Sequence, residues 1–362
     1  MFSKTDRPFL IIVALLTIGG FFVFVSASLG LYAREGASFS AVALKQFLFG
    51  IVLGAVAFFA AARMKYERLR RAALPLFLFG VAITLLVFVP SISISHGGAR
   101  RWIEVFGFSF QPSELLKLAS VIYLAAWLSR VRDTVTRPRF GIIPFTIFFA
   151  LIGAILLAQP DTDTFLVTLA AGLGMFFVAG ARARDFLVLI VITLTLFGAL
   201  ISARPYLLDR IEGFFDPAGN REGSGYQLEQ SLIAIGSGRV MGTGFGQSVQ
   251  KFRYLPEPIG DSIFAVAGEE FGLIGAGSIV LLFFALGLRA LRIAGGARDS
   301  FGRLLVVGIA ILIVGQAFVN IASMLGIIPL SGITLPFISQ GGSALLFTLL
   351  GAGIIASVSK SR

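Results

Sequence analysis

Ten runs of about 20 apolar residues, separated by short polar connections, constrain this chain more than any other feature. They fall near 8–30, 43–62, 72–90, 113–130, 142–159, 164–181, 185–203, 262–288, 304–326 and 343–358. A helix of about 20 apolar residues crosses a bilayer core, and a chain with no water to satisfy its amides crosses as a helix or a closed barrel. Runs of this length predict helices. The 362 residues are 57% hydrophobic and 14% charged, with a mean hydropathy of +0.92. A soluble domain carries about 25% charge. The expected fold is therefore an all-α polytopic membrane protein with about ten transmembrane helices in a single domain, 1–362. The first run is too long for the apolar region of a cleaved signal peptide.

The charges set an orientation. Nineteen of the 30 basic residues fall at the termini and in alternate short connections when both termini are placed in the cytoplasm. They include Lys4, Arg7, Arg63, Lys65, Arg68, Arg70 and Arg71, and later Arg289, Arg292, Arg298, Arg303, Lys360 and Arg362. This is the positive-inside pattern. It accounts for the net charge of +11 without nucleic acid as a partner. It also places one large loop, 204–261, between the seventh and eighth helices on the extracytoplasmic side, together with 91–112 and 327–342. Polar loops gathered on one face mark a working surface. Cysteine is absent and His96 is the only histidine. Disulfides and thiolate metal sites are excluded, and a histidine metal centre is disfavoured.

Several polar residues stand where chemistry is possible. Asp261 closes the loop Glu257-Pro258-Ile259-Gly260 just before the eighth apolar run. It reads either as a helix N-cap or as a general base at the membrane surface. A free aspartate has a pKa of about 3.9, burial raises it and a helix N-terminus lowers it. Glu114 and Lys117 lie three apart on the fourth run. Charge at that depth is costly unless paired, so they form either a self-neutralising pair or the lining of a polar cavity. Arg101, in Gly97-Gly98-Ala99-Arg100-Arg101-Trp102, offers a fork suited to phosphate or an anchor to lipid headgroups. Asp161 and Asp163 form a D-x-D turn that could hold a divalent ion or simply cap a helix. Glu269 and Glu270 sit inside the eighth run, so at least one should face the protein interior. The stretch Gln227–Ser237 is suited to a short amphipathic helix. The block Ser339-Gln340-Gly341-Gly342-Ser343 reads as an ordered turn before the tenth run.

In order along the chain stand GARRW, QPSELLKLA, AQPD, QSLIAIGSGRVMGTGFGQSVQKFRYLPE, FAVAGEEFG and GIIPLSGITLPFISQGGSALL. This ordered set resembles the SEDS family (shape, elongation, division and sporulation proteins, among them FtsW, RodA and SpoVE) over essentially the whole chain. The stretch from Gly246 to Glu257 looks most like the division and sporulation branch, typified by FtsW. The resemblance implies an inverting peptidoglycan glycosyltransferase that polymerises lipid II at the outer face of the bacterial cytoplasmic membrane during cell division. It implies Asp261 as the catalytic residue, with Glu114, Lys117 and Arg101 matching family motif positions. Lys251 is a further cation suited to the diphosphate, and Ser343 completes the expected substrate-binding set. A class B penicillin-binding protein, other divisome proteins and membrane lipid are the implied partners. No organic cofactor is expected, and a divalent cation, magnesium or manganese, could help the diphosphate leave. The chain departs from the family pattern at Ile259-Gly260, where His-Thr is usual, at Asp163 and at Gln340. The substrate cavity is expected between the fourth, eighth and tenth helices. The alternative reading is a transporter that flips lipid II.

Overall fold

The computed structural model describes residues 5–33, 39–96, 99–105, 108–220 and 223–361. Gly97 and Gly98 of the arginine block, and Lys4 and Arg362 of the charge pattern, lie outside them. Every predicted apolar run coincides with a helix. The first is α1 (Arg7–Ser28), whose N-cap Asp6 accepts the Phe9 amide. The second is α2 (Phe39–Lys45), continued through a π-helical stretch into α3 (Leu53–Arg63). Then come α4 (Glu67–Leu85), α5 (Pro112–Arg130), α6 (Ile142–Ala158), α7 (Thr162–Val178) and α8 (Ala183–Ala203). The large loop holds α9 (Pro205–Phe215), α10 (Ser224–Ser237) and the short α11 (Gln250–Arg253). The last spans are α12 (Ile263–Gly295), α13 (Ser300–Ala310) running through a π turn into α14 (Gln316–Met324), and α15 (Gly342–Ser359). Among the described residues seven helices are long and apolar enough to cross a membrane, and α6 and α7 are shorter apolar helices. Helix α5 is interrupted by Glu114 and Lys117, which lower its hydropathy.

Burial separates the centre from the rim. Within its most apolar window, Ser300–Met324 is 72% buried, whereas Ala183–Ala203 is only 6% buried. The ninth span is thus the core of the bundle, and α8 presents nearly all its apolar surface outward, as a lipid-facing helix does.

Two departures from the expected all-α chain matter for the site. Segment 91–112 is a three-stranded antiparallel sheet, not a plain loop: β1 (Ser93–His96), β2 (Ala99–Val105) and β3 (Phe108–Phe110). Ile94 opposes Trp102, and Ile103 opposes Phe110. Seven residues per strand or fewer leave no helical periodicity to read. The second departure is a break in α12 at Gly272, whose φ of 62° lies in the left-handed region, open to glycine at little cost. There the Leu273 and Ile274 amides turn to the carbonyls of Arg239 and Val240 (2.9 and 3.2 Å). The carbonyls of Glu269 and Glu270 accept instead from Thr243 and Gly244 (2.9 and 3.0 Å). The loop after α10 thus replaces one turn of helix hydrogen bonds. A Cβ on Gly242 would stand 2.1 Å from the Glu270 carbonyl, which explains glycine there.

Candidate active site

Asp261 lies in the turn before α12. The N-cap of that helix is Ser262, and no side chain caps it, so Asp261 is not spent on orphan amides. The residue is half-buried. Oδ1 accepts from Gln227 Nε2 of α10 (3.2 Å) and from Ser262 Oγ (3.4 Å). Gln227 Nε2 also donates to Ser262 Oγ at 3.0 Å. The main chain around the carboxylate is clamped from two sides. Asn320 Nδ2 of α14 donates to the carbonyls of Asp261 and Ile333 (2.7 and 2.8 Å). From the loop before α15, Ser339 Oγ donates to the Gly260 carbonyl (2.6 Å), and the Gln340 amide donates to the Ile259 carbonyl (2.7 Å). Ile259, where the resemblance led to histidine being expected, is a buried apolar side chain.

Burial and the nearby Glu257 carboxylate push the Asp261 pKa up to about 7, against the pull of Gln227, the Arg210 charge and Ser262. A carboxylate poised near neutrality is matched to proton abstraction.

A second polar cluster is built around the D-x-D turn. Arg101, on β2, donates to the carbonyls of Gln159 (3.4 Å) and Pro160, and stands 3.9 Å from the Asp161 carboxylate. Ser113 Oγ donates to Asp161 at 3.0 Å. The Gln111 amide donates to Ser343 Oγ at 3.3 Å, so Ser343, at the start of α15, joins this cluster. Asp163 turns away to Arg210 of α9 (2.8 Å) and accepts the Gly332 amide (3.0 Å). Each carboxylate of the turn has its own arginine, and among the described residues no group of three or more acidic or histidine side chains gathers. This donor set does not fit a shared divalent cation, because each negative charge is already matched by an organic one.

Glu114 and Lys117 pair at 2.9 Å, both buried, and Lys117 also reaches Gln316 Oε1 of α14 at 2.9 Å. They line a small cavity with α13–α14 and α15. The larger cavity, of about 410 Å³, lies elsewhere: between α7, α8, α9, the α13–α14 span and loop 328–333. It is walled by Leu166, Phe197, Ile311, Val319 and similar side chains, with Asp163 and Arg210 at one end. The small cavity meets the expected one in part: the fourth and tenth helices, α5 and α15, line it, with α13–α14 in place of α12. The first two turns of α12 are packed solid, with every residue from Ile263 to Glu270 buried.

Lys251 is a second correction. Its side chain has no exposed surface. Nζ sits 2.6 Å from Glu270 Oε1 and 3.1 Å from Ser26 Oγ of α1. Ser26 Oγ donates to Glu270 Oε2 at 2.5 Å. Glu269 accepts from Ser248 Oγ (2.5 Å) and from the Val249 amide (2.9 Å). Both glutamates thus face the interior, and Lys251 neutralises one of them, not a diphosphate. Reasoning from sequence missed Gln227, Arg210 and Asn320. Asn320 carried a signal, an amide inside an apolar span. Gln227 and Arg210 carried none, since polar residues in a polar loop are ordinary.

The FtsW/RodA/SpoVE cell cycle protein model matches residues 6–362. The chain is 39% identical to stage V sporulation protein E of Bacillus subtilis (strain 168), covering 99% of each. It is 38% identical to a probable peptidoglycan glycosyltransferase FtsW of Geobacter sp. (strain M18), over 98% of this chain and 96% of that one. In structure it is similar to a chain of a peptidoglycan synthase complex studied for coordination of polymerization and crosslinking. That match has a TM-score of 0.79 at 25% identity and covers 98% and 97% of the two chains. The rod shape determining protein RodA of Thermus thermophilus matches with a TM-score of 0.72 at 25% identity, over 100% and 98%. With the ordered motifs and the apolar helices in place, the chain belongs to the FtsW/RodA/SpoVE family of multi-pass membrane proteins.

Proposed function

We propose that this chain is a peptidoglycan glycosyltransferase that polymerises lipid II at the outer face of the bacterial cytoplasmic membrane. The single observation that carries the assignment is the geometry of Asp261: a half-buried residue, free of capping duty, its carboxyl held by Gln227 and Ser262 and its turn clamped by Asn320 and Ser339, with burial raising its pKa to about 7. Asp261 takes the proton from the acceptor sugar hydroxyl. The oxygen attacks the anomeric carbon of the donor from the face opposite the diphosphate. The bond from that carbon to the diphosphate oxygen breaks, and the polyprenyl diphosphate leaves with the electron pair. One displacement inverts the anomeric centre, and no covalent enzyme intermediate is needed. Arg210 is a cation close enough to lower the Asp261 pKa. Its guanidinium is paired with Asp163 at 2.8 Å, and the donors left over would offset part of the charge on the departing diphosphate. Arg101, Ser343 and the Glu114–Lys117 pair form the neighbouring wall, where they would contact the rest of the substrate.

Similarity to a chain of a peptidoglycan synthase complex supports a class B penicillin-binding protein as partner, within a division or sporulation assembly. A lipid II flippase would need polar groups on both sides of the membrane midplane. Here Asp261, Gln227, Arg210, Asp163 and Asn320 gather at one end of the bundle, which favours the enzyme. Purified protein with labelled lipid II, resolved on a glycan gel, tests the reading. The parent chain should give a ladder and Asp261→Asn none, with lipid II binding retained. A full ladder from Asp261→Asn overturns the assignment.

A further inference from the structure

Two polar ties between α1 and α12 measure out the membrane. At one end Arg289 Nε donates to Asp6 Oδ1 at 2.6 Å. At the other, Ser26 Oγ donates to Glu270 Oε2 at 2.5 Å, with Lys251 closing the charge. Asp6 and Ser26 are twenty residues apart along unbroken α1, about 30 Å of helix, and their partners Arg289 and Glu270 are held at the same two levels by the ties. That length equals one hydrocarbon core of about 30 Å. Between the ties, α12 exposes Leu273, Ile274, Leu281, Phe284 and Leu288, and α1 exposes Ile11, Leu15, Ile18 and Phe22. The slab edge nearer Asp261 therefore lies at the level of Glu270. That position also explains why both carboxylates are sealed, Glu270 by the Lys251 ammonium and Glu269 by the Ser248 hydroxyl and the Val249 and Gln250 amides, since charge at the edge of hydrocarbon is costly.

The loop 204–261 reaches below this edge. Helix α10 starts beside Asp261, through Gln227, and runs along the first half of α12 until a Cβ on Gly238 would meet the Gly268 carbonyl. The chain then continues past Glu270, where the Arg239 and Val240 carbonyls accept from Leu273 and Ile274. At the turn, Val240 is 56% and Met241 76% exposed, beside Leu273 at 68%. Apolar side chains continuous with a lipid-facing helix, and on its lipid side of the edge, fit acyl chains and not water.

We infer that residues 239–245 form a re-entrant tip, immersed in the leaflet nearer Asp261, with Val240, Met241 and Phe245 against lipid and the exposed Arg239 at the phosphates. Helix α10 is then a strut between the leaflet and the Asp261 carboxylate. The helical stretch from Ile263 to Glu270 rises about 10 Å, so Asp261, in the turn just before it, stands about 10 Å or more outside the hydrocarbon, at the height of the sugars of a lipid-linked substrate and not of its tail. The expectation that 204–261 is wholly extracytoplasmic is thereby replaced by one that dips and returns.

The chain has no cysteine, so single labels report cleanly. Met241→Cys, carrying an environment-sensitive fluorophore, is reconstituted in phosphatidylcholine–phosphatidylglycerol vesicles. Ala218→Cys, in the exposed turn after α9, serves as the aqueous control and Leu273→Cys as the lipid control. Quenching by nitroxide-labelled lipid and protection from iodide, matching Leu273, is the expected result. Iodide quenching like that of Ala218 overturns the inference. So does protection from both quenchers, which would mean that a second protein surface covers the tip. Phe245→Cys repeats the measurement from the other side of the turn, should the first variant fail to fold.

Discussion

Removing the Lys251 ammonium should destabilise the fold sharply while leaving substrate affinity alone. In the parent chain Lys251 and Glu270 have no exposed side-chain surface and meet at 2.6 Å. Lys251→Met keeps most of the volume but strands the Glu270 carboxylate. Its remaining donors are the Ser26 hydroxyl (2.5 Å) and the Ser248 amide (3.3 Å). Breaking a buried pair from one side costs about 3–5 kcal/mol, whereas replacing both partners by neutral groups of similar size is often near neutral. At 1.36 kcal/mol per decade, the single variant loses roughly two to nearly four orders of magnitude in folding equilibrium. The double variant Lys251→Met/Glu270→Gln should recover more than half of that. Equilibrium unfolding in detergent micelles gives the cycle directly. A Lys251→Met chain as stable as the parent, with a raised KM for lipid II, would refute the structural role and restore the diphosphate contact expected from sequence.

Three further outcomes follow from the same geometry. The folded pKa of Asp261, about 7, lies above its unfolded value of about 3.9, so its contribution to stability is full below about pH 4 and is lost as pH rises through about 7. Asp261→Asn should therefore unfold later than the parent above pH 7, by up to about 4 kcal/mol before the discount for solvent screening, while forming no polymer. Arg210→Ala removes a charge that lowers the Asp261 pKa and strands Asp163. The midpoint of the pH–rate profile should move upward, and Arg210→Lys should restore part of the shift. Asn320→Leu deletes two hydrogen bonds to carbonyls (2.7 and 2.8 Å) that hold the Asp261 turn. A loss of about 1–3 kcal/mol in stability and a larger fall in kcat than in KM are expected by unfolding and initial-rate assays.

The apolar helices were legible because hydrocarbon admits few backbone solutions, so apolar length alone locates them. Glu114–Lys117 was legible because three-residue spacing on a helix forces proximity. The sheet at 93–110 was not, since its short strands lack a period long enough to register. Lys251 was misread for a different reason. A lysine in a polar loop looks solvated, and only the return of that loop to the α12 break brings it onto Glu270. Asp261 was legible as a candidate, but its choice between cap and base depended on geometry: Ser262 occupies the cap and Gln227 comes from 34 residues away. Arg210 and Asp163 likewise meet only in the folded chain.

The titration of polymerisation tests the central claim most directly. Initial rates of glycan formation at low lipid II, measured across the neutral range, report the essential base of the free enzyme. They should rise with pH to a plateau, with a midpoint near the Asp261 value of about 7. A rate independent of pH from 5 to 9, or a midpoint near the 3.9 of a free aspartate, would contradict it.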